Sequence, residues 1–282
     1  MNMRFPFRLG ATSYIIPADL LANAAYLADK VQDVELVLFD LDDGQSNLPS
    51  ASQAAGLRKL ALERGLSFTV HLPLDLRMAQ DGSPRHPSLD KARRVIDCTR
   101  VLEPWAYVAH LDGRSVLPAG TTPADRLRWQ DHSVQALQLV GEWIGDLQKL
   151  ALENLEGYPL AFHAEILARI AVSQTVDIGH LWLDGHDPLA YLRAALPRTR
   201  VIHIHGIAER DHSSLTYAPR ASLAAVLAEL ERCNYSGVLT LEIFSEQDLL
   251  SSLQVLQDLK NCFPELPEPG KQIKNYSSQA EN

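Results

Sequence analysis

One pattern recurs eight times along the chain. A short β-rich run ends in polar residues, and a longer stretch follows. The runs are RLGATSY (8–14), VELVLFD (34–40), FTVHLPL (68–74), AYVAHLD (106–112), LALENLE (150–156), TVDIGH (175–180), RVIHIHG (200–206) and GVLTLEIF (237–244). The stretches between them carry apolar residues at helical spacing, clearest over 17–31, 121–147 and 219–233. Pro17 is expected in a first helical turn. Strands alternating with helices require parallel βαβ units. Eight units in about 250 residues match a (β/α)8 barrel, the TIM-barrel architecture. A doubly wound open sheet fits less well. The first strand ends in GATSY, without the G-x-G-x-x-G turn such sheets usually carry. We therefore expect one TIM-barrel domain over residues 1–263 and a polar, Pro-rich, disordered tail over 264–282.

Composition excludes several classes of function. Three cysteines (Cys98, Cys233, Cys262) are scattered and form no disulfide framework, which points to a reducing compartment. The opening MNMRFPFRLG lacks the apolar core of a signal peptide, and no apolar run reaches membrane-spanning length. A soluble, cytoplasmic protein with no membrane partner is expected. The formal net charge of −9 argues against a nucleic-acid partner, which needs a basic surface. The sequence leaves the oligomeric state open.

In such a barrel, chemistry gathers at the C-terminal ends of the strands. Here six consecutive strands, the third to the eighth, each end in His, Asp or Glu. They supply His71, His110, Glu153, Asp177 with His180 three residues on, His203 with His205, and Glu242. The loop after the seventh strand adds Glu209, Asp211 and His212. Taken singly, each has a plain structural explanation: a satisfied core histidine, a buried ion pair, or an outward-facing strand residue. Taken together, a ring of imidazoles and carboxylates is what divalent transition metals (Zn, Mn or Fe) require. More than four ligands implies two or more ions. Adjacent ions can activate water and clamp the attacking and leaving oxygens of a phosphoester. His86, His132, His163 and His186 fall in helices or loops and read as solvated. Asp75, Arg77, Asp112 and Arg114 lie where they could reach a substrate, or could be plain surface. Ser213 has no nucleophile elbow around it.

From residue 8 to about 258, this order of strand-end residues resembles the xylose-isomerase-like barrel superfamily, and its metal-rich endonuclease IV branch in particular. The resemblance implies metal ligands at His71, His110, Glu153, Asp177, His180, His205 and Glu242. The ERDHSSL loop resembles that branch's Asp-x-His segment, leaving open whether Asp211 or His212 is the ligand. The ketose epimerases of the superfamily imply one ion held by Glu153, Asp177, His205 and Glu242. Their catalytic Glu and Arg positions hold Pro159 and Asp211 here. The segments 5–40, FTVHLPLD, YVAHLDG and IHGIAERDHSSL are similar to the CbiR-type cobamide-remodelling phosphodiesterases. That likeness implies hydrolysis of the nucleotide-loop phosphodiester of a cobamide. The products would be adenosylcobinamide phosphate and an α-nucleoside, with Glu242, Glu153, Asp211 and His212 in the catalytic machinery. The large corrinoid substrate would be covered by long loops such as 75–88 and 112–123. A sugar isomerase or epimerase is the alternative.

Overall fold

The structure, a computed structural model, describes residues 5–262. Eight parallel strands close into a barrel in sequence order, and β1 pairs with β8. The strands are β1 (Arg8–Thr12), β2 (Asp33–Val37), β3 (Ser67–His71), β4 (Ala106–Ala109), β5 (Leu150–Glu153), β6 (Ser173–Asp177), β7 (Thr199–Ile204) and β8 (Val238–Leu241). The helices are α1 (Leu20–Leu27), α2 (Ala51–Arg64), α3 (Pro87–Thr99), α4 (Pro123–Ile144), α5 (Ala164–Arg169), α6 (Ile178–Leu183), α7 (Pro188–Ala195), α8 (Arg220–Arg232) and α9 (Glu246–Cys262). This is the (β/α)8 TIM barrel expected from the sequence. The segment 264–282, expected to be disordered, lies outside the described residues. No helix among the described residues is long and apolar enough to cross a membrane.

Local chemistry sets the helix starts. Thr122 accepts from the backbone N–H of Asp125, with Pro123 in the first turn of α4. Ser50 and Gln53 form a reciprocal capping box on α2. Pro17, expected inside the first turn of α1, instead precedes the cap, which is Asp19.

The strands have two faces with different tasks. Val34, Leu36, Phe68, Val70, Leu152, Val176, Ile202, Ile204, Leu239 and Leu241 belong to the main buried cluster, with the inner faces of the helices. Truncating such a side chain, for example Ile202→Ala, costs about 2–5 kcal/mol. By the period of two, the alternate residues point into the barrel. Near the strand starts these form a small apolar plug of Ala106, Val108, Ala151 and Val201. Two residues further along the same faces come His110, Glu153 and His203. The interior therefore changes from apolar to ionisable on moving toward the mouth.

Candidate metal centre

His203 forms the floor of the mouth. It is fully buried, and both of its ring nitrogens face carboxylates. Nε2 lies 2.9 Å from Glu35 Oε2. Nδ1 lies 3.3 Å from Glu153 Oε1 and 3.2 Å from Glu242 Oε2. Burial alone would lower its pKa, but Glu35, Glu153 and Glu242 outweigh burial and hold it well above the ordinary value. Burial would likewise raise Glu153 and Glu242, but the neighbouring histidines, His203 foremost, keep both well below the usual carboxylate range.

Glu153 divides its two oxygens. Oε2 lies 3.1 Å from His110 Nε2 and 3.7 Å from His71 Nε2. Oε1 faces His203 and lies 3.8 Å from His180 Nδ1. The rings of His71 and His110 meet edge to face, with centroids 4.8 Å apart. On the other side of the mouth, His205 and His212 stack at 4.3 Å, and His180 stands 5.7 Å from His205.

The chain turns that build this second group are specific. Helix α6 starts directly after β6, so Asp177 is at once the strand end and the helix cap. Its Oδ1 accepts from the His180 backbone N–H at 2.7 Å. Gly179 lies in the first turn of α6. A Cβ there would come within 2.1 Å of His205 Nε2, so only glycine leaves space for that ring. After β7 the chain doubles back, with Gly206 bridged to Ser213. A Cβ at Gly206 would meet the Ser214 carbonyl oxygen at 2.0 Å. The loop between them sets His212 over the mouth with φ of 52°, a left-handed conformation uncommon outside glycine.

Four of the six histidines share one orientation, and His180 shares it in part, because its Nδ1 also lies 3.4 Å from Asp177 Oδ2 and its Nε2 3.4 Å from Glu156. The Nδ1 of His71, His180 and His205 lies at 2.9, 3.1 and 3.1 Å from the backbone carbonyls of Leu72, Asn154 and Gly206. The Nδ1 of His110 faces Asp75 at 3.6 Å, and that of His212 faces Asp211 at 3.1 Å. An Nδ1–H directed outward leaves the Nε2 lone pair free, which is how metal-ligating histidines are held. The His212 backbone N–H also points at His205 Nδ1, at 3.0 Å, and would favour the opposite tautomer. A cation at Nε2 would select the first. His203, with carboxylates on both nitrogens, is the exception.

Four groups have ligand atoms mutually within 4.8 Å: His71–His110–Glu153, His180–His205–His212, Glu153–Asp177–His203–Glu242 and Glu35–His71–Glu242. Asp177 Oδ2 and His205 Nε2 are buried without a hydrogen-bond partner among the described residues. Orphaned acceptors of this kind are costly unless a cation satisfies them, and the imidazole–carboxylate donor set suits a divalent transition metal. Without such an ion, protons must serve. Burial raises the Asp177 pKa, and Glu242 and Glu153 add to it. His110 and His212, against the effect of burial, are pushed up to about 10 and about 9 by their carboxylate neighbours.

The structure thus gathers every sequence-derived ligand candidate: His71, His110, Glu153, Asp177, His180, His205 and Glu242. It brings His212 to them and stands Asp211 behind His212, while Glu209 is exposed on the loop. Asp75 backs His110, and Asp112 pairs with Arg77 and Arg114. His163, expected to be solvated, is instead 7% exposed and lies against Tyr158 and Phe162. The sequence reading also missed Glu35. Its only signal was a carboxylate inside an apolar strand.

A family model described as Xylose isomerase-like TIM barrel matches residues 28–262. The chain belongs to this family. Solved structures similar to this xylose isomerase-like barrel include a D-tagatose 3-epimerase-like protein, at 19% identity over 91% of this chain and 98% of that one, with a TM-score of 0.73. The 3-keto-D-glucoside 4-epimerase YcjR from E. coli matches at 17% identity over 91% and 100%, with a TM-score of 0.63. Endonuclease IV from Thermus thermophilus matches at 16% identity over 91% and 100%, with a TM-score of 0.65. At these identities the likeness is one of fold. No curated protein matches the chain at a significant level.

Proposed function

We propose that this chain is a metal-dependent phosphodiesterase that hydrolyses the nucleotide-loop phosphodiester of cobamides, giving adenosylcobinamide phosphate and an α-nucleoside. The observation that carries the hydrolase reading is Glu153. One of its oxygens faces the His71–His110 pair and the other faces the Asp177–His180 side. A carboxylate shared in this way, among more Nε2 donors than one ion takes, fits a site for at least two ions. The corrinoid substrate rests on the likeness of FTVHLPLD, YVAHLDG and IHGIAERDHSSL to the cobamide-remodelling phosphodiesterases.

In this reading His71, His110 and Glu153 would hold one ion, and Asp177, His180, His205, His212 and Glu242 would hold the other. Bound divalent ions would supply Lewis acidity, making water nucleophilic near neutral pH and offsetting phosphoryl charge. The protein's own groups fix the geometry. Asp75 and Asp211 orient His110 and His212 through Nδ1. His203, anchored by Glu35, directs its Nδ1–H between Glu153 and Glu242 and keeps both carboxylates from turning away. Hydrolysis adds hydroxide to phosphorus and breaks its bond to the nucleoside oxygen, which leaves with a proton. The acidic chain, at net charge −9, opposes a nucleic-acid substrate.

A sugar epimerase is the second reading, because Glu153, Asp177, His205 and Glu242 are all present at the mouth. Its further catalytic positions hold an exposed Pro159 and Asp211. The test is metal content by elemental analysis, followed by incubation with a cobamide with and without chelator. Two ions per chain and chelator-sensitive release of a nucleoside are expected. No release from metal-loaded protein would discard the corrinoid substrate. One ion per chain with ketose turnover would establish the epimerase instead.

A further inference from the structure

A groove of about 900 Å³ runs beside the metal centre between the loops that follow β1, β2 and β8. Its lining includes Tyr14, Ile15, Ile16 and Pro17 from the first of these loops, Leu48 from the second and Phe244 from the third. The Phe244 ring lies 5.5 Å from the His212 ring, which places that end of the groove next to the ligand cluster. Tyr14 and Phe244 present large side chains to solvent, 45% and 37% exposed. Exposed aromatics flanking a cleft are the usual makings of a binding surface rather than of a core.

Apart from the Tyr14 hydroxyl, the polar groups in the groove are already engaged. Asn47 donates to the Val37 carbonyl and accepts from the Phe39 N–H. Gln53 is tied into the cap of α2. The charged residues that line it are Asp19 and Glu246, both acidic, and both have partners: Asp19 caps α1 and Glu246 accepts from the Tyr26 hydroxyl at 2.6 Å. The groove therefore offers apolar surface bordered by negative charge and no lining cation. A phosphate backbone is repelled there. A monosaccharide would leave most of such a volume unfilled, since clefts of roughly 300–1,000 Å³ suit drug-sized ligands.

We infer that this groove holds the non-reacting body of the substrate: a large, amphipathic, uncharged or cationic ring face seated against Tyr14, Ile16 and Leu48 while its phosphodiester lies in the metal centre. This rests on the phosphodiesterase reading above and places the corrin ring of a cobamide beside the loops after β1, β2 and β8 rather than under the loops at 75–88 and 112–123. Binding energy from a remote, non-reacting part of a substrate then positions the scissile bond.

The test compares three probes on the metal-loaded protein and its Tyr14→Ala and Tyr14→Phe variants. Tyr14 is exposed and no hydrogen bond from the described residues holds its hydroxyl, so neither change threatens the fold. The probes are a complete cobamide, bis(p-nitrophenyl) phosphate as a diester without a corrin ring, and cobinamide as a corrin ring without the diester. In Tyr14→Ala, KM for the cobamide and the dissociation constant for cobinamide should rise about tenfold. Kinetics on the small diester should stay within twofold, and Tyr14→Phe should restore cobamide KM. Unchanged cobinamide binding, or an equal loss on both diesters, would overturn the groove assignment. If wild-type protein cleaves the small diester but neither cleaves the cobamide nor binds cobinamide, the corrinoid reading itself fails. A concentration-dependent dimer abolished by Tyr14→Ala would assign the groove to a second copy of the chain and overturn the proposal.

Discussion

At the starts of the strands, Arg198 donates to the backbone carbonyls of Leu167, Ile170 and Val172. Arg193 and Arg232 share Glu229, and Arg200 donates to the Trp105 carbonyl while its guanidinium lies on the indole face. A cleft of about 890 Å³ is found there, but its lining cations are taken up by these fixed partners. At the ends of the same strands, Asp177 and His205 keep buried atoms with no partner among the described residues. Asp33, the buried acid at the lower end, accepts from the Ser67 hydroxyl, and burial raises its pKa to about 6. The arginines of the lower end satisfy their charges from within the chain, for stability. The mouth leaves its charges open, so a ligand from outside must complete it.

The largest break in this contrast is expected from Glu153→Gln. The neutral amide cannot serve two cations. Turnover should fall about a thousandfold or more and the metal count per chain should drop, while circular dichroism stays that of a folded barrel. Glu242→Gln should likewise abolish turnover without unfolding the protein. Near-wild-type activity in either variant would remove that residue from the centre.

Glu35→Gln should act through His203. The amide can still accept from Nε2 but carries no charge, so His203 is held less strongly as the shared donor to Glu153 and Glu242. Metal affinity, read by competition with a fluorescent chelator, should weaken roughly 10–100-fold, as is typical of partners that orient metal ligands. Affinity unchanged within twofold would make Glu35 a plain buried acid.

Arg198→Ala probes the opposite end. The Leu167, Ile170 and Val172 carbonyls lose their shared donor, which should cost about 2 kcal/mol and lower the melting temperature by about 5 °C. Metal content and turnover should not change. A loss of metal in this variant would show that the two ends are coupled.

How far the sequence reveals this division depends on where a side chain's neighbours come from. The eight strands were legible because their outward faces must be apolar to receive helices. The runs at 150–156 and 68–74 differ from Leu150–Glu153 and Ser67–His71 mainly at their C-terminal ends, which leave the ladder to form the mouth. The ligand candidates were legible because each sits at a strand end, and closing the barrel necessarily collects strand ends. Glu35 was not, because a single mid-strand carboxylate looks the same whether it faces solvent or the barrel interior. Only the closure of β2 beside β3 and across from β7 puts it against His203. The orientation of Asp211 behind His212 was equally hidden, since it depends on a left-handed residue within a six-residue loop.

His163 is the sharpest case of what sequence could not show, and it offers the smallest and most specific test. Its polar type and loop position read as solvent, yet the loop after β5 folds it against Tyr158 and Phe162 and leaves its Nε2 buried without a partner among the described residues. Burial, reinforced by the positive charge of His110, lowers its pKa from 6.5 to about 4. The folded state therefore prefers the neutral ring. The stability this contributes is full above pH 6.5, falls as the pH drops from there toward 4, and levels off below. His163→Phe removes both the titration and the orphaned nitrogen. Thermal melts of the two proteins should differ little at pH 7.5, and the variant should gain steadily on the wild type down to about pH 4. A constant difference across that range would place His163 in solvent after all. A change in metal content in the variant would place it among the groups that complete the mouth.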